Sequence, residues 1–448
     1  MTADLPKKQS ISAQVRNELI SRFSATKSTL SSRGLDAIAP VSIHPSAQNI
    51  PDAFCRFDSF EEFEKIRLSQ ITARRLGIGN PFFKTHDGAA GAETIIEGRR
   101  YINFSSYNYL GLSHDPRVNA AAKAAIEQYG TSASASRLVA GERPIQRQLE
   151  TELARTYDTE DCVVFVSGHA TNVTSIGTLF GPKDLIIHDA LIHNSVLEGI
   201  RLSGAARRSF AHNDPAALED ILKETRSKFE RVLICVEGLY SMDGDIADLP
   251  QFIAIKNRYK ALLMVDDAHS FGVLGEKGKG AREHFNLSGS DVDIWMGTLS
   301  KTLAGCGGYI CGVRPLIEHL KYASGGFVYS VGIAPMLAAA SLEALRILQK
   351  EPERVTILRE RSLQLLNYAR EKGIDTGTAQ GYAIIPAILK SSVKAVTASN
   401  KLYDAGINIQ PIIYPAVEER SARLRFFVSS MHSETQIKQA VDALVRVV

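Results

Sequence analysis

The chain has little cysteine and almost no net charge. Five cysteines, Cys55, Cys162, Cys235, Cys306 and Cys311, are spread over 448 residues. Their number is odd and no CxxC occurs, which argues against a disulfide framework or a zinc ribbon. Cys162 and Cys235 lie in apolar runs, where a thiol serves as a small hydrophobe. Cys306 has no partner pattern that would mark a redox pair. A reducing compartment is the expected setting, and the expected location is the cytoplasm. The formal charge is only +3, from 52 Lys and Arg against 49 Asp and Glu. That balance offers no electrostatic footing for nucleic acid or a membrane surface. No run of about 18 apolar residues exists, so no transmembrane helix is expected. The opening MTADLPKKQSISAQ lacks an apolar core, so no secretory leader is expected.

What is present is an alternation of short apolar runs and helical patterns. Residues 1–99 read as an N-terminal arm and linker. Ile11, Val15, Leu19 and Phe23 fall at helical spacing. The Pro-containing APVSIHPSAQNIPDAF breaks that pattern. A second helix is expected from Ser59, with Glu62 closing a capping box. Over 100–340 the runs CVVFVSG, LIIHDA, VLICVEG, ALLMVDDAH, IWMGTLS and GGYICG are separated by helical segments. Continuous Val/Ile/Leu runs of this kind indicate a mostly parallel sheet covered on both faces. The expected fold is α/β and doubly wound. Residues 341–448 read as a smaller α+β domain with strands in YAIIPAIL, INIQPIIY and ARLRFFVSS. Its last helix is expected to be capped by Ser433.

Nearly every run of the large domain ends in glycine or polar residues. Ligands in open α/β sheets bind outside the carboxyl ends of the strands, so these ends outline one site. GTLSKTLAG (297–305) places a single amine, Lys301, among small uncharged residues. An amine in a partly desolvated place has a lowered pKa and acts as nucleophile and base. The preceding run ends in Asp266-Asp267-Ala268-His269. Three readings of that group are open. It could ligate a metal, although no second His or Cys cluster has ligand spacing, and no metal is expected. It could be a helix-capping aspartate with a satisfied histidine. Or Asp266 could bind a protonated ring nitrogen while Lys301, on the next strand end, forms a Schiff base. The last combination is what pyridoxal phosphate requires. SGHATN (167–172) joins a strand to a helix, so the backbone N–H groups of Gly168 and His169 suit a phosphate. Thr298 adds a hydroxyl. GEKGKG (275–280) lacks the spacing of a P-loop and is set aside.

Taken together, NYLGLS (108–113), SGHATN, DALIHNS (189–195), EGLYSMDGD (237–245), MVDDAHSFGVLGEKGKG (264–280), GTLSK (297–301) and ARLRF (422–426) resemble the α-oxoamine synthases, fold-type I pyridoxal-phosphate enzymes. The motifs follow in order from about residue 100 to the end. The resemblance implies Lys301 as the internal-aldimine lysine, Asp266 on the ring nitrogen and His269 on the ring oxygen. It implies His193 stacked on the ring and assisting proton transfer, and Ser241 beside the cofactor. It implies Arg425 on the amino-acid carboxylate, with Tyr107 and Asn108 on the substrate side. The family's homodimers share the active site, so Ser330 would serve a neighbouring copy's phosphate. Read without the resemblance, Arg425 is first an ordinary strand-edge arginine, and the resemblance reverses that preference. Ser132, Ala135, Gln146 and the pair Val331-Gly332 depart from the family pattern and are expected to border the substrate.

The implied reaction condenses an amino acid with an acyl thioester and releases carbon dioxide and an α-amino ketone. An aminotransferase or decarboxylase of the same fold is the rival reading. A non-catalytic paralogous subunit is a further one. The thioester carrier is expected to be an acyl carrier protein in preference to coenzyme A, with Arg74, Arg75 and Lys84 in the arm offering basic contacts to an acidic carrier; the other reading of the arm is that it only packs on the dimer.

Overall fold

The structure is a computed structural model and describes residues 50–75 and 77–448. It divides into two compact units, Met1–Gly77 and Ile78–Val448. In the first, two 3-10 turns, Asp52–Cys55 and Phe57–Ser59, precede the helix Glu61–Arg75. Ser59 does not cap that helix. Its N–H donates to Arg56 O at 3.0 Å and its hydroxyl to Asp58 Oδ1 at 3.4 Å, so it closes the short turn instead. Glu61, Glu62 and Glu64 at the start and Arg74 and Arg75 at the end complement the helix dipole. The helix expected between Ile11 and Phe23 lies outside the described residues.

Apolar runs buried on both faces build the second unit. Its main sheet has seven strands: β1 Asp161–Phe165, β2 Leu185–Asp189, β3 Ala206–Phe210, β4 Val232–Glu237, β5 Leu262–Asp266, β6 Ile294–Thr298 and β7 Gly308–Gly312. Their order is β1-β7-β6-β5-β4-β2-β3. All neighbours are parallel except β7, which runs antiparallel to both β1 and β6. Alternation sorts the side chains between two cores. Val163, Phe165, Ile186, Leu233, Cys235, Met264, Met296 and Ile310 enter one. Cys162, Val164, Ile187, Ile234, Val236, Val265, Trp295 and Cys311 enter the other. Each fully buried Val, Leu or Ile contributes roughly 1.5–3 kcal/mol relative to exposure.

β3 was not foreseen. Its sequence, ARRSF, has no apolar run, and Arg207 and Arg208 are exposed on the sheet edge, where charges discourage pairing with other chains.

The expected arm boundary at residue 99 falls inside a sheet. Strands Glu93–Ile96 and Arg99–Asn103 form a hairpin, and Arg99–Asn103 pairs in parallel with Ile407–Asn408. Residues 78–99 therefore belong with the body of the protein. The C-terminal part adds an antiparallel sheet of Ile384–Ile388, Arg423–Phe427 and Gln410–Ile412. Its last helix, Glu434–Val447, begins as expected. Ser433 Oγ accepts from Gln436 N at 3.1 Å, and Gln436 Oε1 accepts from Ser433 N at 3.0 Å. Among the described residues no helix is long and apolar enough to cross a membrane.

Candidate active site

The carboxyl ends of the parallel strands open on one cavity of about 350 Å3. Gly168 and His169 reach it from the turn after β1, and His193 from the turn after β2. Glu237 and Ser241 come from β4 and its loop, Asp266 and His269 from β5, Thr298 and Lys301 from β6. Tyr107 and Arg425 complete the wall. Asn108 and Ser330 stand apart. Asn108 is buried, with Nδ2 donating to Ala90 O at 2.7 Å and Oδ1 accepting from Ser113 N at 3.2 Å. It borders an adjoining cavity of about 390 Å3 that also reaches Lys301. Ser330 lies outside both and donates to Val331 O at 3.3 Å. Ser132, Ala135, Gln146, Val331 and Gly332 line neither of these two cavities of the single chain. Gln146 is fully buried and works structurally: Nε2 donates to Ile333 O and Oε1 accepts from Arg143 N, both at 2.9 Å.

Asp266 ends β5 and is 5% exposed. Its carboxylate accepts from Ala268 N at 3.1 Å and from Asn172 Nδ2 at 2.9 Å, both neutral donors. The same Asn172 amide donates to Ser195 Oγ at 2.9 Å. The Ser195 backbone N–H donates to His193 Nδ1 at 3.3 Å, which makes Nδ1 an acceptor, so the Ser195 hydroxyl, 2.7 Å away, donates to it as well. The His193 ring proton is then on Nε2. Asn172 and Ser195 were not singled out from sequence, although both lie in quoted motifs.

Lys301 Nζ is 5.7 Å from the centre of the Tyr107 ring. Burial lowers its pKa to about 8, against the opposing pull of the Asp266 carboxylate. Near neutral pH a useful fraction of this amine is uncharged. His269 is buried, with Nδ1 2.7 Å from the Tyr109 hydroxyl. Burial, reinforced by the Lys301 charge, pushes its pKa well below the usual range, so its imidazole is neutral. Arg425 Nη1 donates to Ser241 O at 2.9 Å, and its guanidinium lies 4.5 Å over the Phe427 ring. Among the described residues its buried Nε has no hydrogen-bond partner.

Glu237 is a site residue that sequence reasoning missed. It faces Asp266 across the β4–β5 register. Oε2 accepts from Ser241 N at 3.1 Å, and among the described residues Oε1 has no partner. Burial first, and the Asp266 charge second, raise its pKa well above the carboxylate range, so it keeps its proton. The folded protein thus binds a proton that the unfolded chain releases above about pH 4.5, and this group's contribution to stability declines as pH rises. Glu237→Gln lacks that proton equilibrium. In cofactor-free protein its urea midpoint is expected to gain on wild type between about pH 5 and about pH 8. A constant difference across that range would contradict a protonated Glu237.

The cavity pairs an anionic wall, Asp266, with the N-terminus of helix Gly168–Leu179, capped by Ser167. At that helix end Thr298 approaches so closely that a Cβ on Gly168 would meet its Oγ1 at 2.9 Å. A ligand with a basic ring nitrogen and a phosphate satisfies both ends. Pyridoxal phosphate fits these residues.

The aminotransferase class I and II family profile matches residues 99–444. The 8-amino-7-oxononanoate synthase of Thermoanaerobacter pseudethanolicus is 38% identical, over 81% of this chain and 91% of its own. That of Fervidobacterium nodosum is 40% identical, over 81% and 92%. Among solved structures, the serine palmitoyltransferase of S. paucimobilis with a bound pyridoxal-phosphate–myriocin aldimine superimposes with TM-score 0.83. It is 27% identical, covering 88% of this chain and 98% of the other. The Sphingomonas wittichii serine palmitoyltransferase gives 0.82 at 30% identity, over 86% and 97%. The chain therefore belongs to the class I and II aminotransferase family, within its α-oxoamine synthase branch.

Proposed function

We propose that the chain is a pyridoxal-phosphate-dependent acyltransferase. It joins the Cα of an amino acid to the carbonyl carbon of an acyl thioester, releasing the thiol and carbon dioxide and yielding an α-amino ketone. The observation that carries this reading is the pairing, in one cavity, of Lys301 with its lowered pKa and the neutral-donor-bound Asp266. Pyridoxal phosphate supplies, when bound, a carbonyl carbon for amines and a protonated ring that takes up electron density.

Lys301 supplies the amine that holds the cofactor aldehyde. Once displaced, its free amine takes the proton from the amino acid's Cα. Asp266 accepts the ring N–H and keeps that proton in place. With Tyr109 donating to Nδ1, His269 Nε2–H donates to the ring oxygen. His193, tautomer set by Ser195, covers the ring face and offers Nε2–H. Gly168 and His169 N–H groups and Thr298 hold the phosphate, and Ser241 flanks the cofactor. Arg425 binds the amino-acid carboxylate through its planar fork, with Tyr107 closing the substrate side. Asn108 holds the Tyr107 segment to Ala90. A homodimer would let Ser330 reach a neighbouring copy's phosphate.

Carbon dioxide release distinguishes this from the rival reactions. It is expected only when both amino acid and thioester are present. Release from amino acid alone indicates a decarboxylase, and conversion of a 2-oxo acid without thioester indicates an aminotransferase. Purified protein that binds no cofactor would mark a non-catalytic subunit. For the carrier, kcat/KM with one acyl group on an acyl carrier protein is expected to exceed that on coenzyme A. Remote binding energy from a protein surface can orient the reacting carbonyl. Arg74 and Arg75 remain candidate contacts. The Lys84 ammonium already lies 2.9 Å over the Tyr403 ring, which reduces its availability. Equal values, or a preference for coenzyme A, would remove the carrier proposal.

A further inference from the structure

The edge strand β3 leads into a turn, His212-Asn213, that touches no cavity residue, yet it joins two of the segments that carry them. His212 Nδ1 is 2.9 Å from Asp189 Oδ1, and Nε2 is 2.9 Å from Asp245 Oδ2. Asn213 repeats the connection. Its N–H donates to Asp189 Oδ2 and its Nδ2–H to Ile246 O, both at 2.7 Å. Asn213 adopts φ +54°, a conformation that asparagine tolerates better than most residues. Four bonds from two adjacent residues thus tie the end of β2 to the loop after β4.

Both carboxylates are sealed. Asp189 is 0% and Asp245 3% exposed, and the Tyr240 ring stands edge-on to the imidazole at 4.5 Å between centroids. An imidazole facing two carboxylates donates from both nitrogens only as the cation. Burial alone would lower its pKa, but the hydrogen bonds to Asp189 and Asp245 raise it to about 10.

Each tied segment carries a functional side chain. Asp189 Oδ1 also accepts from Leu191 N at 2.8 Å, in the turn that presents His193. Asp245 closes the turn that presents Ser241: Tyr240 N donates to Asp245 O at 2.9 Å, and Gly244 N to Tyr240 O at 3.0 Å. Ser241 O in turn seats Arg425 Nη1.

We propose that His212 is a positioning residue, a charged cross-link that fixes the Ser241 turn against the His193 turn and so sets the orientation of Arg425 toward the amino-acid carboxylate. It acts through Asp245 and Ser241 and touches neither substrate nor cofactor. The proposal rests on the reading of Arg425 given above. Its physical basis is that a lost cation leaves two buried carboxylates uncompensated, and the turn must move to hydrate Asp245.

The test uses the holoenzyme with His212→Gln and with the double variant His212→Gln/Asp245→Asn. Three quantities are read: amino-acid Kd from the change in cofactor absorbance, KM and kcat for both substrates, and melting temperature. His212→Gln is expected to raise Kd and KM for the amino acid about tenfold or more, the equivalent of one charge-assisted hydrogen bond. KM for the thioester and the absorbance without amino acid are expected to stay at wild-type values. The double variant, with a neutral amide pair across the gap, is expected to recover amino-acid Kd to within about threefold of wild type. A lower melting temperature with unchanged Kd and KM would overturn the proposal, since a purely structural tie gives that result. If His212→Gln does not fold, Asn213→Gly keeps the positive φ, removes the side-chain bond to Ile246 O and is expected to raise Kd about threefold; no change there also overturns it. Wild-type holoenzyme that responds to no amino acid would remove the proposed function as well, an outcome visible before any variant is made.

Discussion

Lys301→Ala is expected to lose covalent attachment of the cofactor and at least about a thousandfold in condensation rate. A positioned general base alone contributes roughly 10²–10⁴-fold, and the variant also forfeits the attachment that precedes it. Absorbance of purified variant should be that of free pyridoxal phosphate and should vanish on dialysis, while wild type keeps its colour. The lowered pKa adds a second expectation. In cofactor-free wild type, capture of added pyridoxal phosphate should speed up with rising pH and level off above about 8, where the amine is uncharged. Turnover by the alanine variant near the wild-type rate would remove Lys301 from the chemistry.

Asp266→Asn is expected to lower kcat by roughly two to three orders of magnitude, the range for removing one preorganised electrostatic contact in a dry site. The amide has nearly the same shape, so the fold and the Ala268 N–H contact can persist. What disappears is the charge that keeps a proton on the cofactor ring nitrogen. Asn172 Nδ2 would then face either an amide oxygen or another donor, so the chain from Asn172 through Ser195 to His193 is also put at risk. Amino-acid KM should change far less than kcat, because Arg425 does not contact Asp266. A kcat within a few-fold of wild type would place the electron-withdrawing role elsewhere.

The strands that were legible from sequence are those buried on both faces, since burial demands continuous apolar runs such as LIIHD and VLICVE. β3 was not, because an edge strand facing solvent with Arg207 and Arg208 carries no such run. Lys301 and Asp266 were legible because polar residues end apolar strands there. Glu237 was hidden although it ends β4 in the same way: its significance comes from its register opposite Asp266, and register is not written in either strand alone. Asn108 lines the cavity that adjoins Lys301, and its amide bonds Ala90 O and Ser113 N, contacts that no local pattern announces. Gln146 ties its own helix start to Ile333 across 187 positions, a distance that no local pattern reveals. His212 and Asn213 follow a strand that was not foreseen, so the clamp they form was out of reach for the same reason.

The parallel pairing of Arg99–Asn103 with Ile407–Asn408 has a consequence for the order of events at the ribosome. Asn408 Nδ2 bonds Asn103 Oδ1 across 305 positions. At synthesis rates of about 5–20 residues per second, the hairpin around Asn103 waits about 15 to 60 s for its partner to be made. All seven strands of the main sheet are made within that interval. The nascent chain can therefore complete its large domain first, while one edge of the hairpin stays unpaired and open to the wrong strand. Residues 407 and 408 close that edge last, and Asn408 O also accepts from Phe104 N and Ser105 Oγ, in the segment that leads to Tyr107.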